Sequence, residues 1–385
     1  MTGPVALVHD YLTQRGGAER VVLAMLEAFP GAPLYTALYH PERTFPEFRD
    51  VDVRAAYLDR VAPFRARHRL ALPLLADAFS RLHVTAPVVL CSTSGWSHGA
   101  QVTGRRILYC HSPARWLYQT DRYLGERAHP LAAGAMSVLK QPLLRWDQVA
   151  AARPARWLTN STLVQDSIRT VYGREAEVIP PPYALDPAGT RIPADGLEPG
   201  FFLTVSRLLP YKNVGSVVEA FAGLPDQRLV VVGTGPAGKQ LRQMAGRNVT
   251  FLGTTSDGQL RWLYANCRAV VAASYEDYGL TPLEGAAFGK PAVVLRWGGF
   301  LDTVRDGVTG VYFDEPTPSR ILAAVRTSAA RPWDPATLQR HADAFSKRVF
   351  IDRIRRIVDE EARRPTTSRP VSLRGDLPAQ AAAVP

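Results

Sequence analysis

Apolar residues in this chain gather in short unbroken runs, separated by longer stretches where they recur every three or four positions. Runs at 5–8, 88–91, 107–110 and 157–159 in the first half predict buried strands, as do 201–205, 229–232, 249–252, 269–272 and 292–295 in the second. A parallel strand covered on both faces has no polar side to alternate with, so it reads as a continuous apolar run. The intervening segments 18–28, 214–222, 258–265 and 282–288 carry helical spacing. Near the end, Phe350, Ile351, Ile354, Ile357 and Val358 mark a late amphipathic helix. Such strand–helix alternation argues for α/β architecture with mainly parallel sheets.

The 385 residues suit two domains of ordinary size. Five prolines at 180, 181, 182, 187 and 193 mark the best linker. The expected organisation is an N-terminal Rossmann-like domain at 1–182, a linker at 183–200 and a C-terminal Rossmann-like domain at 201–345. A helix at 346–364 is expected to pack back toward the N-terminal domain, followed by a disordered Pro/Ala/Ser/Thr-rich tail at 365–385.

Composition narrows the function classes. Hydrophobic residues make up 46% and charged residues 21%, as in soluble globular proteins. No apolar run reaches the roughly 18 residues a membrane span requires. The first residues lack the basic and apolar regions of a secretory signal. Cys91, Cys110 and Cys267 stand apart from one another, which speaks against a zinc site or disulfide framework and for a reducing cytosol. A net charge of +11 favours an acidic partner, although dispersed arginines on solvated faces would produce the same figure. No nucleic-acid-binding signature accompanies the charge. The densest patch, Arg65-Ala66-Arg67-His68-Arg69, precedes the apolar run 70–75 and suits contact with an anionic membrane surface.

In open α/β domains, ligands sit beyond the carboxyl ends of the strands, so the loops there carry the candidate chemistry. In YEDYGLTPLEG at 275–285, Glu276 is expected just past a strand, and Gly279 permits a tight turn. Pro282 then fits the first turn of a helix, and Glu284 is expected in that same turn. Free amides between the two acids would form an anion site, while Glu284 taken alone reads better as a helix-start acid. In FFLTVSRLLPYKN, Arg207 and Lys212 follow a strand, and two cations there suit a diphosphate. In VALVHDYLTQRGGAERVV, Gly16 and Gly17 lie between strand and helix, where backbone N–H groups can approach phosphate. His111 ends the strand of ILYCHSPARW, a position shared by structural and catalytic histidines. Gly233, Gly235 and Gly238 match G-x-G-x-x-G, which keeps an NAD-dependent oxidoreductase as an alternative. Asp257 comes late for the ribose acid of that motif.

Together these motifs resemble the family-4 glycosyltransferases, over about residues 4–362. The most specific element is E-x7-E, here Glu276 to Glu284, joined by Arg207/Lys212, RGGAER, YCHSP and TNSTLVQDSIRTVYG. HDYL, YCHSP and VSRLLPYK are most similar to the bacterial mannosyltransferases of O-antigen and exopolysaccharide synthesis. Asn213 departs from the pattern, since a second basic residue is common there, and Asp302 stands where many relatives have glutamate.

The resemblance implies the GT-B architecture, two Rossmann-like domains facing across an interdomain cleft. It also implies retaining transfer of a hexose, most readily mannose from GDP-mannose, to a glycan or lipid-linked acceptor, without metal or other cofactor. A UDP-hexose donor is the first alternative, and a non-catalytic sugar-nucleotide-binding protein is another. Arg207 and Lys212 would hold the donor diphosphate with the amides of Gly279 and Leu280. Glu276 would contact the sugar, Glu284 the ribose, and Gly16 and Gly17 the phosphate or acceptor, while His111 would orient the donor sugar. Glu276, His111, Arg207 and Lys212 form the expected catalytic set. The enzyme would be cytoplasmic and peripheral at the inner face of the membrane.

Overall fold

The computed structural model describes residues 5–118 and 130–364, with 130–138 described by backbone alone; the expected tail at 365–385 lies outside them. The described residues form two compact units, those up to 180 together with 350–364, and residues 181–349.

The first unit holds a seven-stranded parallel sheet. Its spatial order is Val53–Ala55, Leu34–Thr36, Val5–His9, Val88–Thr93, Arg105–Cys110, Arg156–Thr159, Glu177–Val178. Strand order reverses between Val5–His9 and Val88–Thr93, which makes a doubly wound sheet with a switch point there. Alternate residues feed two cores. Ala6 and Val8 pack on one face with Phe79, Trp96 and Trp157. Val5 and Leu7 pack on the other with Met25, Tyr109 and the helix residues Phe350, Ile354 and Ile357. That helix, Lys347–Arg363, follows the 3.6-residue spacing of its apolar positions. Glu361 on the same helix is fully buried and accepts from Arg105.

The second unit repeats the plan with six parallel strands. The order is Val249–Gly253, Leu229–Val232, Phe201–Val205, Cys267–Ala272, Ala292–Leu295, Gly310–Phe313. Its switch point falls between Phe201–Val205 and Cys267–Ala272. Here too the faces alternate, with Phe202 in one core and Phe201 and Leu203 in the other. The Pro-rich segment 183–200 is irregular, and its Leu185 and Ala194 are buried with Phe201.

Four strands of these two sheets lie outside the apolar runs: Leu34–Thr36, Val53–Ala55, Glu177–Val178 and Gly310–Phe313. All four are short and carry mixed residues, so their pairing comes from the sheet they join rather than from local pattern. The helix expected from 282 begins two residues earlier, as Leu280–Ala287, with Gly279 at its N-cap in the left-handed region (φ 83°). Pro282 is its third residue. Glu284 is therefore the fifth residue, in the second turn and not the first.

Among the described residues, no helix is long and apolar enough to cross a membrane. No cluster of three or more His, Cys, Asp or Glu there could hold a metal ion. All three cysteines are buried free thiols, and burial pushes Cys91 up to about 11 and Cys267 to about 12.

Candidate functional site

At the switch point of the second unit, the loop after Phe201–Val205 meets the loop after Cys267–Ala272. Their strands are direct neighbours, so residues that leave them are brought together by sheet pairing. Lys212 and Glu276, 64 positions apart, form an ion pair there through Nζ and Oε1. The Ser274 hydroxyl donates to the same Oε1 at 2.8 Å. Both donors use one carboxylate oxygen, which leaves Oε2 able to accept from a ligand hydroxyl. The lysine side chain is 11% exposed and the glutamate 26%, so the pair is partly shielded from water and stronger than a surface ion pair.

Asn213 explains its own departure from a basic residue. It adopts φ 51°, the left-handed region that asparagine tolerates well, and its Nδ2 donates to the Ala273 carbonyl at 2.9 Å. That bond ties the Lys212 loop to the loop carrying Glu276. Arg207 is exposed, with Nη2 3.5 Å from the Tyr211 hydroxyl, and the Lys212 ammonium lies 5.0 Å from the centre of the Tyr211 ring. Tyr211 thus stands against both cations.

The Glu276 loop is fixed from below. Gly299 N–H donates to the Glu276 carbonyl at 2.9 Å. A Cβ on Gly299 would lie 2.1 Å from the Tyr278 Cα, so only glycine allows this approach. Gly279 turns the chain into helix Leu280–Ala287, whose first amides have no intrahelical partner. Glu284 accepts from the Tyr264 hydroxyl at 2.6 Å, and burial with this carboxylate holds the phenol well above its usual range. Tyr264 lies on helix Asp257–Asn266, and neither it nor Ser274 carries a local signal that would have linked it to an acid.

The glycines of VVGTGPAG have a different task. A Cβ on Gly233 would lie 1.9 Å from the Ser206 carbonyl oxygen, and one on Gly235 2.4 Å from that of Leu208. Leu208 N–H donates to the Thr234 carbonyl, and Ala237 N–H to that of Leu208. These glycines let the loop carrying Arg207 lie against its neighbour, which accounts for them without a dinucleotide.

The first unit collects its own polar groups at the equivalent sheet edge. Asp10 accepts from the amides of Ser94 at 2.6 Å and Ser97 at 2.7 Å, fixing the turn after Val88–Thr93. His98 joins Thr93 to the buried carboxylate of Asp147, which also accepts from Tyr118. His111 N–H donates to the Thr93 carbonyl, and the Asn160 amide donates to the His111 carbonyl. Its ring is half-buried, and desolvation, aided by His9, lowers its pKa to about 3. The imidazole is therefore neutral at physiological pH.

Gly16 caps helix Gly17–Ala28, and a Cβ on it would lie 2.5 Å from Glu19 Oε2. Gly17 has nothing within 4 Å of such a Cβ. A side chain at Gly16 would meet the end of the Glu19 side chain, whereas the space above Gly17 is open. Glu19 is buried, and desolvation raises its carboxyl above the usual range against the opposing effect of His9.

Of the expected residues, Arg207, Lys212, Glu276, Gly279, Leu280 and Glu284 fall in the second unit, and Gly16, Gly17 and His111 in the first.

The family description "Glycosyl transferases group 1" matches residues 192–341. The chain is 26% identical over 393 residues to the alpha-1,3/1,6-mannosyltransferase ALG2 of Mus musculus, covering 88% of this chain and 92% of that protein. It is 30% identical over 220 residues to the D-rhamnosyltransferase WbpZ of Pseudomonas aeruginosa, which spans 53% of this chain and 55% of that one. Among solved structures, HepE of Anabaena in complex with UDP and glucose superimposes with a TM-score of 0.66. It is 19% identical, covering 92% of this chain and 99% of the other, a likeness of fold.

Proposed function

From a chain that is a glycosyltransferase of GT-B fold, with a group 1 domain at residues 192–341, we propose a retaining mannosyl transfer from GDP-mannose to a glycan or lipid-linked acceptor. It would serve cell-surface polysaccharide or glycolipid synthesis, as in the family-4 bacterial enzymes it resembles. The observation that carries the reading is the meeting of Lys212 and Glu276 beside the helix start at Gly279. The mannosyltransferase name of a relative matched over 88% of the chain supports the sugar.

In this reading the donor diphosphate lies against Lys212, Arg207 and the amides at Gly279 and Leu280. As the bond from C1 to the β-phosphate oxygen breaks, negative charge grows on that oxygen, where these donors are already aimed. The acceptor oxygen bonds to C1 on the face the phosphate leaves, and its proton passes to the departing phosphate. Glu276 Oε2 accepts from a sugar hydroxyl while Oε1 keeps Lys212 in place, and Glu284 accepts from the nucleotide ribose. The two side-chain cations and the helix amides supply the positive charge a metal would otherwise provide, so activity should survive chelation. In the first unit, neutral His111 offers one hydrogen bond to a sugar hydroxyl, and the open space over Gly17 admits a phosphate or acceptor group.

A thermal-shift panel of GDP, GDP-mannose, UDP and UDP-hexoses tests the donor. GDP-mannose should raise the melting temperature most, and incubation with acceptor lipid should release GDP. Stabilisation by a UDP-sugar without any from GDP compounds would replace the donor.

The enzyme is further proposed to sit in the cytoplasm against the inner membrane face. Four of the large exposed apolar side chains, Tyr57, Val61, Leu70 and Leu74, lie in one stretch of the first unit, interleaved with Arg65, Arg67 and Arg69. Apolar anchors beside basic side chains suit an anionic lipid surface. The wild type should float with vesicles of anionic but not neutral lipid, and salt should release it. Arg67→Glu combined with Arg69→Glu should abolish flotation; unchanged flotation would remove this surface from the reading.

A further inference from the structure

His9, Ser92 and His111 stand side by side at the carboxyl ends of three adjacent strands, because His9 and Ser92 are register partners and His111 follows the next strand. His9 Nδ1 lies 3.2 Å from the Ser92 carbonyl oxygen and 3.0 Å from its hydroxyl. A carbonyl oxygen only accepts, so this nitrogen must carry the proton. The Ser92 hydroxyl is then an acceptor toward His9, and its own proton is directed to His111 Nε2, 2.8 Å away. His111 Nε2 must accept, so its neutral ring carries the proton on Nδ1. The opposite arrangement, with His111 donating to Ser92 and Ser92 to His9, would set a lone pair of His9 against a lone pair of the carbonyl.

We infer that Ser92 is a positioning residue that transmits the tautomer of His9 to His111, so that His111 presents an Nδ1–H donor and no acceptor. The ring can hold this role because desolvation and His9 keep it uncharged. Among the described residues Nδ1 has no partner, and it is not among the side-chain atoms sealed from solvent. A fixed donor suits a sugar hydroxyl or ring oxygen acting as acceptor, and a ring free to change tautomer would lose that selectivity. The consequence for catalysis rests on the reading of His111 as a sugar-orienting residue, whereas the tautomer itself does not.

Nitrogen-15 spectra of histidine-labelled full-length protein test it, with the His111 signals assigned by their loss in His111→Gln. In the wild type Nδ1 should be protonated and Nε2 bare from pH 8 down to about pH 4. Ser92→Ala should shift His111 to a mixture of tautomers, and Ser92→Thr, which keeps the hydroxyl, should restore the single form. In GDP-mannose turnover, Ser92→Ala should lower kcat about tenfold, the worth of one misdirected hydrogen bond, with Ser92→Thr recovering most of it. A wild-type ring protonated at Nε2, or an unchanged tautomer in Ser92→Ala, would overturn the inference. If Ser92→Ala does not fold, the wild-type tautomer still decides. A correct tautomer in a protein that turns over no nucleotide sugar would instead count against the proposed function.

Discussion

Lys212→Ala is expected to lower turnover about 10²–10³-fold, the loss that follows removal of one preorganised charge at a developing oxyanion. It should weaken nucleotide binding as well, for a reason the ion pair makes specific. In the native arrangement the Glu276 carboxylate is neutralised by the ammonium at the same oxygen that the Ser274 hydroxyl reaches. With the lysine gone, an uncompensated carboxylate faces the diphosphate. Adding Glu276→Gln to Lys212→Ala should therefore recover much of the nucleotide affinity without recovering turnover. Glu276→Gln alone should keep or improve nucleotide affinity, since Lys212 then meets the phosphates with its full charge, while kcat falls through the lost sugar contact. Calorimetric Kd values and single-turnover rates for all four proteins give the coupling, expected at about 1–3 kcal/mol for groups in direct contact. Additive effects would mean that the two residues act independently and would sink this account.

Gly299→Ala is expected to damage the enzyme although the substitution adds only a methyl group. That methyl would stand 2.1 Å from the Tyr278 Cα and 2.2 Å from its carbonyl oxygen, and backbone cannot rotate aside as a side chain can. Overpacking of this kind costs about 1–3 kcal/mol, or about 3–10 °C in melting temperature for a unit of this size. The displaced segment is also the one that holds Glu276, through the bond from Gly299 N–H to the Glu276 carbonyl. At temperatures where the variant is still folded, turnover should remain at least about tenfold down, as expected for a misplaced catalytic group. A native melting curve with native turnover would show that the loop is not held in this way.

The two acids of YEDYGLTPLEG show how far local pattern reaches. Their separation by a strand end, a glycine turn and a helix could be read from Gly279 and Pro282. The helix start could not, because a left-handed N-cap at Gly279 sets it two residues earlier and moves Glu284 into the second turn. Nor could their partners be read. Glu276 is held by Lys212 and Ser274, and Glu284 by Tyr264, at sequence separations of 64, 2 and 20. Only the short separation is local, and a serine two residues from a glutamate is too common to carry information. The G-x-G-x-x-G match is weak evidence for a related reason: glycine records that something comes close, and here it is the backbone at Ser206 and Leu208.

The sequence by itself determined the α/β class, the parallel character of the sheets and the loops that would carry chemistry. These follow from burial on both strand faces and from the backbone limits of glycine and proline, which act within a few residues. Tertiary structure decided which loops meet. It paired Phe201–Val205 with Cys267–Ala272 and Val5–His9 with Val88–Thr93, and so set Lys212 on Glu276 and Ser92 between two histidines. Strand order is a property of the whole sheet, settled by the packing of helices on both of its faces, and no local stretch of residues contains it.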